Sequence, residues 1–438
     1  MIFLLLLNKY KCMLKKIIIS FTVATFSISA FGQDLKAMQE QFLEAEYFFM
    51  SGSYNDALPI YLSLFDQMQD NANLAYRIGV CYLNINGKKN MSVPYLEKAV
   101  LQTSSRHKEG TILHVTAPYD AYFQLGNAYR VNYKFDRARE AYLKYRETLL
   151  SNDRENLDFI DHLINTCDNA KKMIAHPVNH RIEPSGIPMD DNKENFNPVI
   201  SADGKTFIFM TTLPFYNAVM CSINKNGVWS EPENITPYLK PEGQIFVSSL
   251  SADGKRLLFS RNDLFNSDIF MSVFNGKTWS EPVKLNKNIN TKYWESQAYI
   301  TDDEKSIVFS SDRPGGFGGL DIYISYKEKN DWGPAANIGP IINTPFNEDR
   351  PTLINGGQTL FFSSQGHENM GGYDIFMTTK NPNGTWNTPE NIGYPLNTPD
   401  DNIFFTPSEK DNSLYMSILR EAEGKSKEAI YHIILNPK

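Results

Sequence analysis

Cysteine is scarce. Four residues in 438, Cys12, Cys81, Cys167 and Cys221, are too few for a disulfide scaffold, and no Cys-x-x-Cys or Cys/His spacing marks a zinc site. Stability must therefore come from packing. An excess of positive charge is also lacking: 43 Lys+Arg stand against 50 Asp+Glu, a net charge of −7, which leaves no basic field to attract nucleic acid. The longest near-apolar run, Ile17 to Phe31, has 15 residues, short of the about 20 that span a bilayer as a helix. Catalytic signatures are missing as well. There is no Gly-x-Ser-x-Gly elbow, phosphate loop or dinucleotide fingerprint, and none of the seven histidines pairs in a zinc-hydrolase helix pattern. His176 and His180 are four apart, but Pro177 forbids the helix that would align them.

Aromatic residues are plentiful, at 13%, which excludes a disordered chain. The length allows two or three domains with full cores. Lys9, Lys11, Lys15 and Lys16, with no acid before residue 33, precede the apolar run, and Ala30-Phe31-Gly32 offers small residues before Gln33. This pattern predicts a secretory signal over residues 1–32, with Met13 as an alternative start. Cys12 precedes the apolar stretch and so cannot be an acylated first residue. Cleavage would remove four lysines and take the net charge from −7 to −11. The expected product is an exported chain without a transmembrane anchor.

The period of the sequence changes near residue 176. From Gln33 to Ala175 apolar and small residues recur at three and four; beyond Pro177 short β-rich runs alternate with Gly, Asn, Asp and Pro. Residues 176–195 read as a linker that also carries a strand. In the helical half, Tyr122, Leu125, Gly126, Tyr129, Ala138, Tyr142 and Tyr145 fall at tetratricopeptide offsets, where small residues let paired helices touch. Ala45, Phe48, Gly52, Tyr54, Ala57, Tyr61 and Leu64 form an earlier unit. Ile78, Gly79, Tyr82, Tyr95 and Ala99 form a middle one, with about one residue inserted near Gly87. Asp158 to Ile174 reads as a helix that caps the stack.

The second half, residues 196–438, repeats more clearly. Trp229, Trp279, Trp332 and Trp386 are separated by 50, 53 and 54 residues, a propeller-blade period. Ser-Ala-Asp-Gly-Lys precedes the first two at 201–205 and 251–255, each time leading into an apolar strand. Thr301 to Lys305, Asn355 to Gln358 and Ser408 to Asn412 take the same place in later units. Third strands begin near Ala218, Asp268, Asp321, Asp374 and Ala429, and fourth strands lie at Asn234, Lys284, Asn337 and Asn391. The last unit has no fourth strand of its own, and Asn179 to Ile182 is positioned to supply it. The fold class is thus multidomain α + all-β: a tetratricopeptide-like α-solenoid over 33–175, then a five-bladed β-propeller.

Candidate chemistry resolves into structure. Asp203 and Gly204 suit a tight hairpin turn, and Asp268, Asp321 and Asp374 suit local backbone hydrogen bonds. A catalytic carboxylate is needed once, a structural one in every blade. Asp190-Asp191, Asp302-Asp303 and Asp400-Asp401 lack the alternating oxygens of a calcium loop and read as solvated turns. Cys81, Cys167 and Cys221 read as small buried residues, with a Cys81 to Cys167 bond as the alternative in an oxidising compartment. No catalytic, cofactor-binding or metal residue is assigned.

Ser-Ala-Asp-Gly-Lys, Phe309 to Arg313 and Asp321 to Tyr323 together resemble the TolB-type, WD40-like propeller repeat. The Trp-Ser-Glu-Pro turns at 229–232 and 279–282, and the Asn-Thr pairs at 290, 343 and 397, narrow it. With the helical stack and leader, the chain resembles periplasmic tetratricopeptide-plus-propeller proteins of Bacteroidota, akin to OmpA-family proteins associated with type IX secretion. Such relatives often carry an OmpA-like domain, which this chain lacks, so peptidoglycan binding is not implied. The resemblance implies a periplasmic, outer-membrane-associated scaffold, not an enzyme, that holds envelope proteins. The competing expectation is a propeller that binds or cleaves glycans in its funnel, recognisable by carboxylates and aromatics converging there.

Overall fold

The computed structural model describes residues 30–263, 266–422 and 425–436. The expected leader lies outside these residues, apart from its last three positions, which open the first helix.

Seven helices occupy the N-terminal part of the described chain: α1 (Ala30–Met50), α2 (Tyr54–Gln67), α3 (Ala72–Leu83), α4 (Ser92–Ala99), α5 (Asp120–Val131), α6 (Phe135–Arg146) and α7 (Arg154–Ala175). Residues 51–53, with Gly52 at φ 77°, turn the chain back from α1 to α2. Residues 132–134 do the same between α5 and α6. Small residues sit where paired helices touch. A Cβ on Gly79 would overlap Leu96 of α4, and one on Gly126 would overlap the Tyr142 ring of α6. The first pairs share a core of Phe42, Tyr61, Leu64, Leu74, Ile78 and Cys81, and α5 to α7 share one with Leu125, Tyr142, Ile160, Leu163 and Cys167. Inside the first core, Arg77 donates to both oxygens of Glu46, which also accepts from Tyr61. That geometry meets the requirement that a buried charge be paired.

The irregularity expected near Gly87 is larger in the structure. Residues 84–91 join α3 to α4 through a short 3-10 turn, Lys89–Met91, and a longer connection, residues 100–119, separates α4 from α5. It folds back across α1 and α3: the Gln39 amide accepts from Ile112 N (3.0 Å) and donates to Gly110 O (3.1 Å), while Asn71 donates to Ile112 O (3.1 Å). Ile112 is fully buried there.

Five antiparallel sheets follow. The first blade holds β2 (Asn195–Ile200), β3 (Thr206–Thr212), β4 (Asn217–Lys225), β5 (Val228–Trp229) and β6 (Glu233–Asn234). The second holds β7 (Gln244–Leu250), β8 (Arg256–Asn262), β9 (Ser267–Val273) and β10 (Val283–Lys284). The third holds β11 (Glu295–Ile300), β12 (Ser306–Ser311), β13 (Asp321–Glu328), β14 (Asp331–Trp332) and β15 (Ala336–Asn337). The fourth holds β16 (Glu348–Ile354), β17 (Thr359–Ser364), β18 (Asp374–Thr379) and β19 (Glu390–Asn391). The fifth is β20 (Phe405–Pro407), β21 (Ser413–Ala422) and β22 (Lys425–Leu435), completed by β1 (His180–Pro184) from before the first blade. β1 runs antiparallel to β22, with His180 opposite Leu435 and Ile182 opposite Ile433. The ends of the propeller are thereby joined, and a free edge of unpaired backbone groups is removed.

The repeated residues have repeated jobs. In the first hairpin, Asp203 Oδ1 accepts from Ser201 Oγ (2.7 Å) and Lys205 N (3.0 Å) while Gly204 takes φ 65°; Ser251/Asp253 and Thr301/Asp303 repeat the first two bonds. The Trp279, Trp332 and Trp386 side chains are buried in successive spaces between blades. The Asn of each Asn-Thr pair straps the third strand: Asn343 Oδ1 accepts from Ile322 N (2.8 Å) and its Nδ2 donates to Ile322 O (3.0 Å). Asn290 does this for Ile269 and Asn397 for Ile375.

Candidate functional site

The axis of a propeller is where five inner strands converge, and here four of those strands carry a β-bulge. A bulge re-aims side chains. Asn197 and Arg350, each followed by proline, both take φ 54°, and they meet. Arg350 Nη1 of the fourth blade donates to Asn197 Oδ1 of the first at 3.1 Å, and its guanidinium lies 4.4 Å from the centroid of the Phe404 ring. Asn197 also donates through Nδ2 to Val247 O (2.9 Å) and through its backbone N to Ser417 Oγ (3.1 Å). Ser296 Oγ of the third blade donates to Asp349 Oδ1. The axis is therefore crossed and tied by residues of all five blades. Burial pushes the Arg350 guanidinium down to about 10, against the opposing pull of Asp349.

The carboxylates nearest the inner strands are engaged in the scaffold. Glu348 accepts from Thr344 N, Thr344 Oγ1 and Ser364 Oγ, each at 2.7 Å. Glu295 repeats this with Thr291 N (2.8 Å), Thr291 Oγ1 (2.7 Å) and Ser311 Oγ (2.9 Å), and adds Arg313 (3.2 Å). Burial pushes the Glu348 carboxyl up to about 7 and raises that of Glu295. Sequence reading noticed the Asn-Thr pairs and missed these acids, although Asn-Thr-x-x-x-Glu recurs at 290–295 and 343–348. In the fifth blade Asn402 replaces the acid and accepts from Thr398 N at 2.8 Å.

The other singled-out residues are placed as follows. Asp321 accepts from Phe317 N (2.6 Å), Gly318 N (3.1 Å) and Asn337 Nδ2 (2.7 Å). Asp374 accepts from Met370 N (3.0 Å) and Asn391 Nδ2 (2.7 Å), and burial pushes it up to about 7. Among the described residues Asp268 accepts from Asn266 Nδ2 (3.2 Å) and Lys284 Nζ (2.7 Å). The cysteine alternative is corrected: Cys81, Cys167 and Cys221 are free and buried, and the first two lie in different cores. Burial pushes the Cys81 thiol up to about 12 and that of Cys167 up to about 11. Asp190 pairs with Lys193 (3.0 Å). Among the described residues no group of three His, Cys, Asp or Glu could hold a metal ion.

Asp400-Asp401 was expected to be a solvated turn and is instead a docking point for the helices. Lys89 of the 3-10 turn pairs with Asp400. Arg130 of α5, 9% exposed, donates to Pro399 O, with Asp401 and Asp400 close enough to stabilise its charge. Met370, from the loop between β17 and β18, is fully buried in the core of α5 to α7. His162 of α7 donates from Nε2 to Gln365 O at 2.7 Å and stacks on Phe346 with ring centroids 4.6 Å apart. Helices and propeller thus share one seam on blades four and five.

No described helix is long and apolar enough to cross a membrane. The chain matches no protein-family model and no curated protein. Among solved structures it is similar to TolB from Acinetobacter baumannii, at 15% identity and TM-score 0.36 over 56% of this chain and 55% of that one. It is also similar to the α-L-arabinofuranosidase PaAbf62A of Podospora anserina in complex with cellotriose, at 11% identity and TM-score 0.38 over 60% and 98%. A protein of unknown function from Dyadobacter fermentans gives 13% identity and TM-score 0.34 over 55% and 77%. The chain therefore spans about half the length of the TolB it matches, and likenesses this weak leave function to the residues themselves.

Proposed function

We propose that this protein is a non-enzymatic scaffold of the cell envelope, in which a tetratricopeptide-like helical array and a TolB-like propeller hold partner proteins in fixed relation. The observation that carries this reading is the seam: Met370 and Arg130 lock two repeat surfaces into one body, and a rigid pair of extended surfaces is what joining several proteins requires. The axis supports it from the other side. Arg350 reaches across the axis to Asn197, and Glu295 and Glu348 are bonded within their own blades. Export through the N-terminal leader, and a place in the periplasm facing the outer membrane, complete the proposal, with a secretion or outer-membrane assembly as its setting.

Photo-crosslinking residues placed in cells at Tyr47 (71% exposed) and Phe215 (96% exposed) test it from both units. Envelope proteins joined at each position are expected. Recovery of the protein alone, with release of sugar from arabinoxylan that is lost in Asp349→Asn, overturns the scaffold in favour of a glycan-cleaving propeller.

A further inference from the structure

The blade seams are not equally filled. At the seam between blades two and three, Arg256 opens β8 and reaches Glu304 in the next hairpin turn at 2.6 Å. The corresponding positions one blade earlier are Thr206, which opens β3, and Gly254; the two cannot form an ion pair and pack directly against each other. A cavity of about 270 Å³ lies at this seam, with Thr206 and Gly254 among its lining residues. It lies at the strand ends that carry the Ser-Ala-Asp-Gly and Trp-Ser-Glu-Pro turns, opposite the ends against which the helices dock.

Its chemistry is two-sided. Ile223, Ile235 and Phe274 make an apolar wall, and Trp279 and Tyr238 offer aromatic rings. Glu231 and Glu233 stand at the cavity on exposed backbone of the first blade, and neither forms a salt bridge among the described residues. Lys277 is the cation among the lining groups, so the acids outnumber it. An occupant with a flexible apolar stem and a flat, delocalised positive head fits both parts: the stem covers the wall, the head stacks on an aromatic face and is held by carboxylates.

We propose that this cavity receives an arginine side chain from a partner protein. The proposal deepens the scaffold reading by giving the chemistry of one contact. Lysine fits less well, because its compact head is strongly hydrated and cannot stack; an anionic side chain would face two carboxylates.

The test uses the full-length protein and n-butylguanidinium as the probe, with tryptophan fluorescence and two-dimensional NMR as readouts, against n-butanol and butyrate as controls. Saturable binding of n-butylguanidinium about tenfold tighter than that of n-butanol is expected, a difference of about 1.4 kcal/mol. Glu233→Gln should weaken it roughly fivefold, as loss of one charge-assisted partner does. The double variant Glu231→Gln/Glu233→Gln removes both carboxylates at exposed positions and leaves the shape of the cavity unchanged. It should fold and no longer bind the probe. Equal response to n-butylguanidinium and n-butanol, or undiminished binding by a folded double variant, overturns the proposal. Either result leaves the crosslinks at Tyr47 and Phe215 untouched, so failure of this contact and failure of the scaffold reading are separable.

Discussion

At the scale of single residues, the buried acids set the pH response. Glu348 is pushed up to about 7 by burial, from an ordinary value of 4.5. The folded protein therefore holds that proton more tightly than the unfolded chain does. The resulting stability is largest at acid pH and is lost as pH rises from about 4.5 through 7, by an amount on the order of 3 kcal/mol for a shift of this size. Asp374, also about 7, acts in the same direction. Asn402 shows that a neutral amide can accept the strand's hydrogen bond in this position. Glu348→Gln should accordingly fold, and the difference in its melting temperature between pH 5 and pH 8.5 should be clearly smaller than that of the native chain. An unchanged difference would mean that Glu348 is ionised throughout that range in the folded state.

At the scale of elements, what recurs from blade to blade was legible and what occurs once was not. Ser-Ala-Asp-Gly, the tryptophans and the Asn-Thr pairs each work within their own blade or against the next one, so their spacing reports the blades directly. The role of Glu295 and Glu348 was also local, but it was hidden because only the third and fourth blades carry the acid and the fifth has Asn402 in its place. The connection over residues 100–119 left no such trace, since Gln39 and Asn71 hold it by a few long-range bonds. The joining of β1 to β22 could be anticipated from a count of strands, because a blade short of one strand leaves an edge to be covered. Its weight can be measured. A chain fragment starting at Glu194 lacks β1 and exposes β22, and should aggregate or lose its sharp unfolding transition, whereas one starting at Pro177 should stay monomeric. Equal behaviour by size-exclusion chromatography and calorimetry would show that the β1 pairing adds little.

At the scale of the whole molecule, the change of period at residue 176 marks two halves joined by a linker over residues 176–195, and the seam ties those halves together. Arg130 and Met370 are ordinary within their own repeats, and nothing in their spacing announces that one meets Pro399 and the other leaves its blade for a helical core. Such contacts depend on how two finished surfaces meet, which periodicity does not encode. Their energies are large enough to couple the halves. Truncating a fully buried methionine costs roughly 2–5 kcal/mol, and removing the charge-assisted bonds of a buried guanidinium costs on the order of 1.5–3 kcal/mol. The native chain should therefore unfold in one calorimetric transition and resist proteolysis over residues 176–195. Met370→Ala combined with Arg130→Ala should split that transition in two and open the segment to cleavage, yielding a helical and a β-rich fragment. Val178 N donates to Tyr394 O at 2.8 Å and so ties the linker to the chain that follows the fourth blade, and its amide should exchange with solvent much faster in the double variant. Two transitions in the native chain, or early cleavage near residue 176 without any substitution, would show that the seam is too weak to hold the two surfaces as one.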